Sequence, residues 1–198
     1  MNMKTKLLSL LFMLLLSGMS FSSFAQAPAA PVKPALLVID IQNAFLPMIP
    51  EADRVTAMAN INYYIAMFRQ HGFPVVLVYH HGEEYGVSPG TDIFEFPSTV
   101  NIQPGDPRII KTYPDGFNKT DLDKVLKELG CNTLFLTGLS AVGCVLATTI
   151  GAMNHDYKAF MVKDAIMSHN SVYTDNIEIM FDAVGPEVVK LVLDSAGK

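Results

Sequence analysis

Apolar residues come in two patterns along this chain. The short continuous run Ala35 to Ile39 suits a strand buried on both faces, and Val75 to Tyr79, Thr133 to Thr137 and Ala159 to Val162 read as further strands. Arg108 to Lys111 predicts one more brief strand between the second and third of these. The other pattern has helical spacing. Ala52 to Gln70 places Val55, Met58, Ala59, Ile65 and Phe68 at such intervals and is stopped by His71 and Gly72. A second helix opens at Thr120, with Asp121 and Asp123 in its first turn, Leu122, Val125, Leu126 and Leu129 along one face, and Gly130 as its stop. Further helices are predicted from Val142 to Asn154 and from Asp175 to Ala183, while Val188 to Leu193 fits a strand or a helix equally. Strands alternating with helices at this spacing imply right-handed crossovers. The predicted fold is α/β: a three-layer, doubly wound, mostly parallel sheet of five or six strands with helices on both faces.

Ligands on such a sheet bind beyond the carboxyl ends of the strands. The residues to weigh are therefore Asp40, His80 and His81, Lys111, the turn from Gly138 to Cys144, and Asp164. No glycine-rich phosphate fingerprint follows the first strand, where Asp40-Ile-Gln-Asn-Ala-Phe45 stands instead, so dinucleotide and P-loop sites are disfavoured. The segment from His80 to Pro107, rich in Gly, Pro and Phe, lacks periodicity and reads as a functional or covering loop.

The first 25 residues change the picture of the hydrophobicity. Lys4 and Lys6 precede an apolar run from Leu7 to Leu16, then a small polar stretch ending Ser23-Phe24-Ala25, the three-part layout of a signal peptide. Residues 1–25 are expected to be removed on export, leaving 26–34 as an extended lead-in and 35–198 as one catalytic-sized domain. The protein is thus expected in the periplasm or secreted, and off the membrane once cleaved. An uncleaved anchor or a buried first helix is the alternative. With 14 basic against 19 acidic residues and no basic run, a nucleic-acid role is excluded in practice. Cys131 and Cys144 fall at opposite ends of one predicted strand, a span of about 17–20 Å that no disulfide bridges, so both are expected to be unpaired.

Three residue types at strand ends carry chemistry. Cys144, placed in a first helical turn, faces unpaired amides that lower a thiol's pKa and could hold an oxyanion; the alternative is a small buried filler. Asp40 could act as general base for that thiol or cap the turn it begins. Lys111 could stabilise a thiolate or lie solvated on the surface. A parallel sheet delivers all three to one edge, which gives them joint weight.

Three blocks in order resemble the isochorismatase-like cysteine hydrolases, a family that includes nicotinamidases, N-carbamoylsarcosine amidohydrolases and ureidoacrylate hydrolases. They are Val38-Ile-Asp40-Ile-Gln42 with Phe45; Ile110-Lys111 with Gly116-Phe117, Thr120 and Leu122; and Gly138 through Cys144-Val145 with Thr148 and Ala152, then Tyr157 and Val162-Lys-Asp164-Ala165. The resemblance spans roughly Ala35 to Ala165. It implies a catalytic triad of Asp40, Lys111 and Cys144, in which the aspartate takes the thiol proton, the lysine supports the charge and the thiolate forms an acyl-enzyme. It also implies an oxyanion hole from the amides of Ser140 and Cys144 and a cis peptide between Leu139 and Ser140. Phe45, Phe117, His80 and Leu139 are the expected pocket residues.

Departures limit the likeness. Asp115-Gly116 stand where the family often has Ser-Ala before the phenylalanine. Nicotinamidases hold a metal with an aspartate and two spaced histidines; His80 and His81 are adjacent and point to opposite faces, so no metal and no other cofactor is expected. The methionines read as packing. The expected activity is hydrolysis of a C–N bond in a small amide or ureido substrate by a homo-oligomer, oligomers being common in the family. The alternatives are an isochorismatase-type ether hydrolase, which need not use the cysteine, and a silent exported small-molecule-binding protein.

Overall fold

The computed structural model describes residues 31–196. The signal-peptide reading and most of the lead-in lie outside them. Strand β1 (Pro34–Ile39), helix α1 (Glu51–Gln70), β2 (Val75–His80), β3 (Arg108–Lys111), α2 (Leu122–Glu128), β4 (Thr133–Leu139), α3 (Leu146–Asn154), β5 (Lys158–Met167), α4 (Ser171–Met180) and α5 (Pro186–Ala196) follow in order. The five strands form one sheet in the order β3-β2-β1-β4-β5, and every pairing is parallel. Among the described residues, no helix is long and apolar enough to cross a membrane.

β1 explains why the strands read as unbroken apolar runs. Successive side chains alternate faces, and each face is covered. Leu36 and Val38 pack with Ile61, Tyr64, Ile65 and Phe68 of α1 and with Val189 and Leu193 of α5. Ala35, Leu37 and Ile39 pack on the other side with Leu122 and Leu126 of α2, Ala152 of α3 and Ile177 of α4. The helix ends obey local electrostatics. Glu51 and Asp53 sit in the first turn of α1 and Arg69 in its last, and Gly72 leaves it in the left-handed conformation at φ 76°. Asn170 caps α4, its side chain accepting from the Val172 amide at 3.0 Å.

Two expectations are corrected and one left open is settled. The ambiguous C-terminal run is a helix, and helix α4 begins at Ser171 rather than Asp175. β5 is much longer than the run Ala159 to Val162. It continues to Met167 through a register shift, with Asp164 at φ 56° inside it. Asp164 therefore does not close a strand at the site. Its carbonyl accepts from Asn60 on α1 and its amide donates to Glu178 on α4.

Gly138 leaves no room for a side chain. It pairs with Ile39 at φ 108°, and a Cβ there would lie on the Ile39 carbonyl oxygen and 2.8 Å from the Ile39 nitrogen. Rigid backbone cannot yield as a flexible side chain would. Gly138→Ala is expected to lower unfolding free energy by about 2–5 kcal/mol, from backbone strain plus forced separation of the two central strands. Urea denaturation checks it, and a midpoint unchanged from the native chain would refute this account of the position.

Candidate active site

The site forms at the carboxyl edge of the sheet, at the switch in strand order where β1 stands between β2 and β4. β1 ends at Ile39, and Asp40 adopts φ 53°, unusual for a residue with a side chain. Its amide still donates to Val78 at 2.9 Å, so the residue is fixed to the sheet while the chain turns away. The register of β2 with β3 sets His80 beside Lys111. Lys111 then reaches Asp40, its Nζ 2.7 Å from Asp40 Oδ2 and 3.3 Å from His80 Nδ1. Both members of this ion pair are buried, with side-chain exposures of 0% and 2%. Isolated charges would be costly at such depth, so the pair holds only because its members answer one another.

The remaining Asp40 oxygen, Oδ1, is buried and has no hydrogen-bond partner within the 31–196 region. The Cys144 sulfur lies close by. Asp40, His80 and Cys144 each offer an atom within 4.8 Å of the others. Cys144 does not occupy the regular helix expected for it. It lies in a wider turn, Ala141–Val145, that precedes α3 and breaks helical geometry at Gly143. The Ser140 carbonyl closes this turn by accepting from the amides of Gly143 at 2.9 Å and Val145 at 3.1 Å. The Leu139–Ser140 peptide is cis.

Electrostatics correct the expected thiol. Burial, with the Asp40 carboxylate as the next cause, pushes the Cys144 thiol up to about 12 rather than down. These effects outweigh the partial charge of a helix start, and α3 proper begins only at Leu146. Asp40 is itself raised by burial, against the opposing pull of Lys111. His80 is lowered by burial and by Lys111, which keeps its ring neutral and its Nδ1 free to accept. At rest the site is therefore a thiol facing a basic carboxylate that is paired with a lysine.

The pocket residues divide. Phe45 stands edge-on to His80, ring centroids 5.9 Å apart, at the rim of the site. Ser140 begins the cysteine turn. Leu139 packs its side chain into the core on the α1 face. Phe117 is corrected: its ring stacks on His155 at 4.9 Å and lies 5.7 Å from Tyr157, at the end of α3 and the start of β5. α3 runs from the carboxyl edge of the sheet to the amino edge, so Phe117 fills the core at the edge opposite Cys144. Phe94 and Phe96 likewise stack on Tyr79 in the core. His81 turns away from the site, its Nε2 3.4 Å from Ser88 Oγ. Both cysteines are free.

A metal does not fit these residues. Asp40, His80 and Cys144 have the chemistry of ligands, but the Lys111 amine stands within hydrogen-bond distance of two of them. The trio already surrounds a protein cation. Sequence reasoning missed one residue, Gln42. It is fully buried, and its side chain accepts from the His80 amide at 2.7 Å and donates to the His80 carbonyl at 3.0 Å. Its only signal was a polar residue inside the first block, two places past a strand end.

The five-stranded parallel sheet gathers an Asp, a Lys and a Cys at its switch point, the place where α/β enzymes build their sites. Residues 34–188 match the isochorismatase domain, and the chain belongs to that family. An uncharacterized isochorismatase family protein of Bacillus subtilis (strain 168), YddQ, is 32% identical over 148 residues, covering 72% of this chain and 82% of that one. Streptothricin hydrolase of Streptomyces noursei is 32% identical over 143 residues, 69% of this chain and 56% of that protein. The crystal structure of N-carbamoylsarcosine amidase from Thermoplasma acidophilum superposes with a TM-score of 0.67 at 28% identity, covering 78% of this chain and 95% of that one. The protein is an isochorismatase-family hydrolase.

Proposed function

We propose that this hydrolase cleaves a C–N bond of a small amide or ureido compound through an acyl-enzyme on Cys144. The observation that carries the reading is the partnerless Asp40 Oδ1 beside the Cys144 thiol, with Lys111 holding the other oxygen of the same carboxylate. The relative described as an N-carbamoylsarcosine amidase supports the amide side, and the streptothricin hydrolase supports hydrolysis in general.

The steps follow from the proton inventory. Asp40 takes the thiol proton as the sulfur attacks the carbonyl carbon, so the thiolate exists only as it reacts. This suits a thiol whose resting pKa is high and a carboxylate made more basic by burial. The oxygen of the tetrahedral intermediate is held by the amides of Ser140 and Cys144. Asp40 returns the proton to the departing nitrogen, and the C–N bond breaks to leave a thioester. Water then attacks, Asp40 accepts its proton, and collapse releases the carboxylic acid and restores the thiol. Lys111 keeps the carboxylate in place and offsets negative charge throughout. No metal or organic cofactor is needed for any of these steps. The proposed setting is an exported compartment, where an undissociated thiol resists oxidation better than a thiolate.

The direct test is intact-mass spectrometry after rapid acid quench with a panel of small amides. A turned-over substrate is expected to leave its acyl mass on the peptide containing Cys144. Turnover with the acyl mass on another residue, or with none under single-turnover conditions, overturns the covalent route.

A further inference from the structure

We infer that Gln42 is a positioning residue for this site, acting through His80 and Lys111; the inference rests on the reading of Asp40, Lys111 and Cys144 as the reacting group. Each strand of a parallel sheet holds its neighbour by taking both the N–H and the C=O that one residue turns towards it. β1 does this for β2 up to the pairing of Ile39 with Val78, and Asp40 then turns out of the sheet. His80 stands one step further along β2, where no β1 backbone remains to meet it.

The Gln42 carboxamide supplies what the lost strand would have. Oε1 accepts from the His80 amide at 2.7 Å and Nε2 donates to the His80 carbonyl at 3.0 Å, so one side chain reproduces both ladder bonds. On its other side the β2 tip is held by β3: His80 pairs with Lys111, and the His81 amide donates to the Lys111 carbonyl at 2.8 Å. The tip is thereby fixed from both sides at the one place where its ring must meet the Lys111 amine. Gln42 also follows Asp40 by two residues, so the same clamp ties the turn carrying the carboxylate to the strand carrying the histidine. No other side chain type of this length can do it. A glutamate offers two acceptors and no donor unless protonated, and a leucine offers neither.

That difference gives the test. Gln42→Glu and Gln42→Leu are compared with the native chain in kcat and KM from pH 5.5 to 8, on the amide that the native chain turns over. Iodoacetamide labelling of Cys144 gives a parallel reading without turnover, and all rates are scaled to the folded fraction. At pH 8 both variants are expected to lose kcat by on the order of a hundredfold, the usual cost of a misplacement near 1 Å, with KM changed little. Towards pH 5.5 the glutamate gains a proton and with it the missing donor. The ratio of Gln42→Glu to native is expected to climb at least about tenfold there, and its labelling rate to approach the native one, while Gln42→Leu stays low. A Gln42→Leu variant with native kcat, or Gln42→Glu and Gln42→Leu ratios that run parallel across pH, would overturn the inference. Cys144→Ala measured alongside separates the two layers: if it remains active the cysteine reading fails whatever Gln42 does, and if it is inactive while the Gln42 variants behave as native, only the clamp fails.

Discussion

Cys144→Ala is expected to lose at least about a thousandfold in kcat on any amide the native chain hydrolyses, with its fold and melting temperature nearly unchanged. The magnitude follows from what the sulfur does. Removing the nucleophile of a concerted proton-transfer unit costs about as much as removing the whole unit, leaving only what oxyanion binding and positioning contribute. The fold survives because Cys144 is only partly buried and sits in a turn closed by backbone bonds from Gly143 and Val145 to Ser140. Alanine removes one sulfur atom and leaves that turn intact. Activity within tenfold of native in this variant would remove the covalent mechanism and favour a route that does not use the cysteine.

Much of this arrangement was legible in the sequence, and the reason is the period of the strands. A strand buried on both faces is almost wholly uncharged, so the first charged residue after an apolar run marks the carboxyl edge. Asp40 declares itself in that way; Lys111 closes an edge strand in which Ile109 and Lys111 are buried while Arg108 and Ile110 are exposed, and its place at the strand's end was the signal. In a parallel sheet all such edges coincide, which is why residues 71 positions apart could be paired without coordinates. The same rule failed at β5. Lys163 and Asp164 interrupt the run, yet they lie within a strand that bulges and continues to Met167. A bulge turns side chains out of the alternating pattern, and periodicity then reads an interior as an end. Phe117 failed for another reason: its place in a family block fixed its position in the chain but not which edge of the sheet its ring would fill.

The cysteine's ionisation and the role of Gln42 were hidden for a common cause. Both depend on what surrounds a group in three dimensions. A helix start predicts a lowered thiol pKa, but desolvation and the carboxylate of a residue 104 positions away decide the balance the other way. A buried glutamine in a loop looks like ordinary turn chemistry until the strand tip that it completes is seen.

Asp40→Asn is expected to separate thiol reactivity from turnover. Asparagine keeps an oxygen that can accept from Lys111 but not the opposing charge, so with both groups buried the variant is expected to lose about 3–5 kcal/mol of stability, and its rates are scaled to the folded fraction. The variant also lacks the base and is expected to lose kcat by about a hundredfold to ten-thousandfold, the usual range for general-base catalysis. Alkylation should move the opposite way. The native carboxylate is the second cause, after burial, of the high Cys144 pKa. A unit charge about 5 Å away in an effective dielectric near 20 is worth on the order of 3 kcal/mol. Even a part of that raises the thiolate population roughly tenfold to a hundredfold, since each 1.4 kcal/mol is about a factor of ten. Measured from pH 7 to 9, iodoacetamide should therefore label Asp40→Asn faster than the native chain, while the native rate keeps rising with pH because its thiol titrates near 12. Slower labelling with lost turnover would mean that Asp40 activates the thiolate at rest, as in an ion-paired cysteine site, and would overturn the proton-in-flight mechanism. Unchanged labelling and turnover would place the carboxylate outside the chemistry altogether.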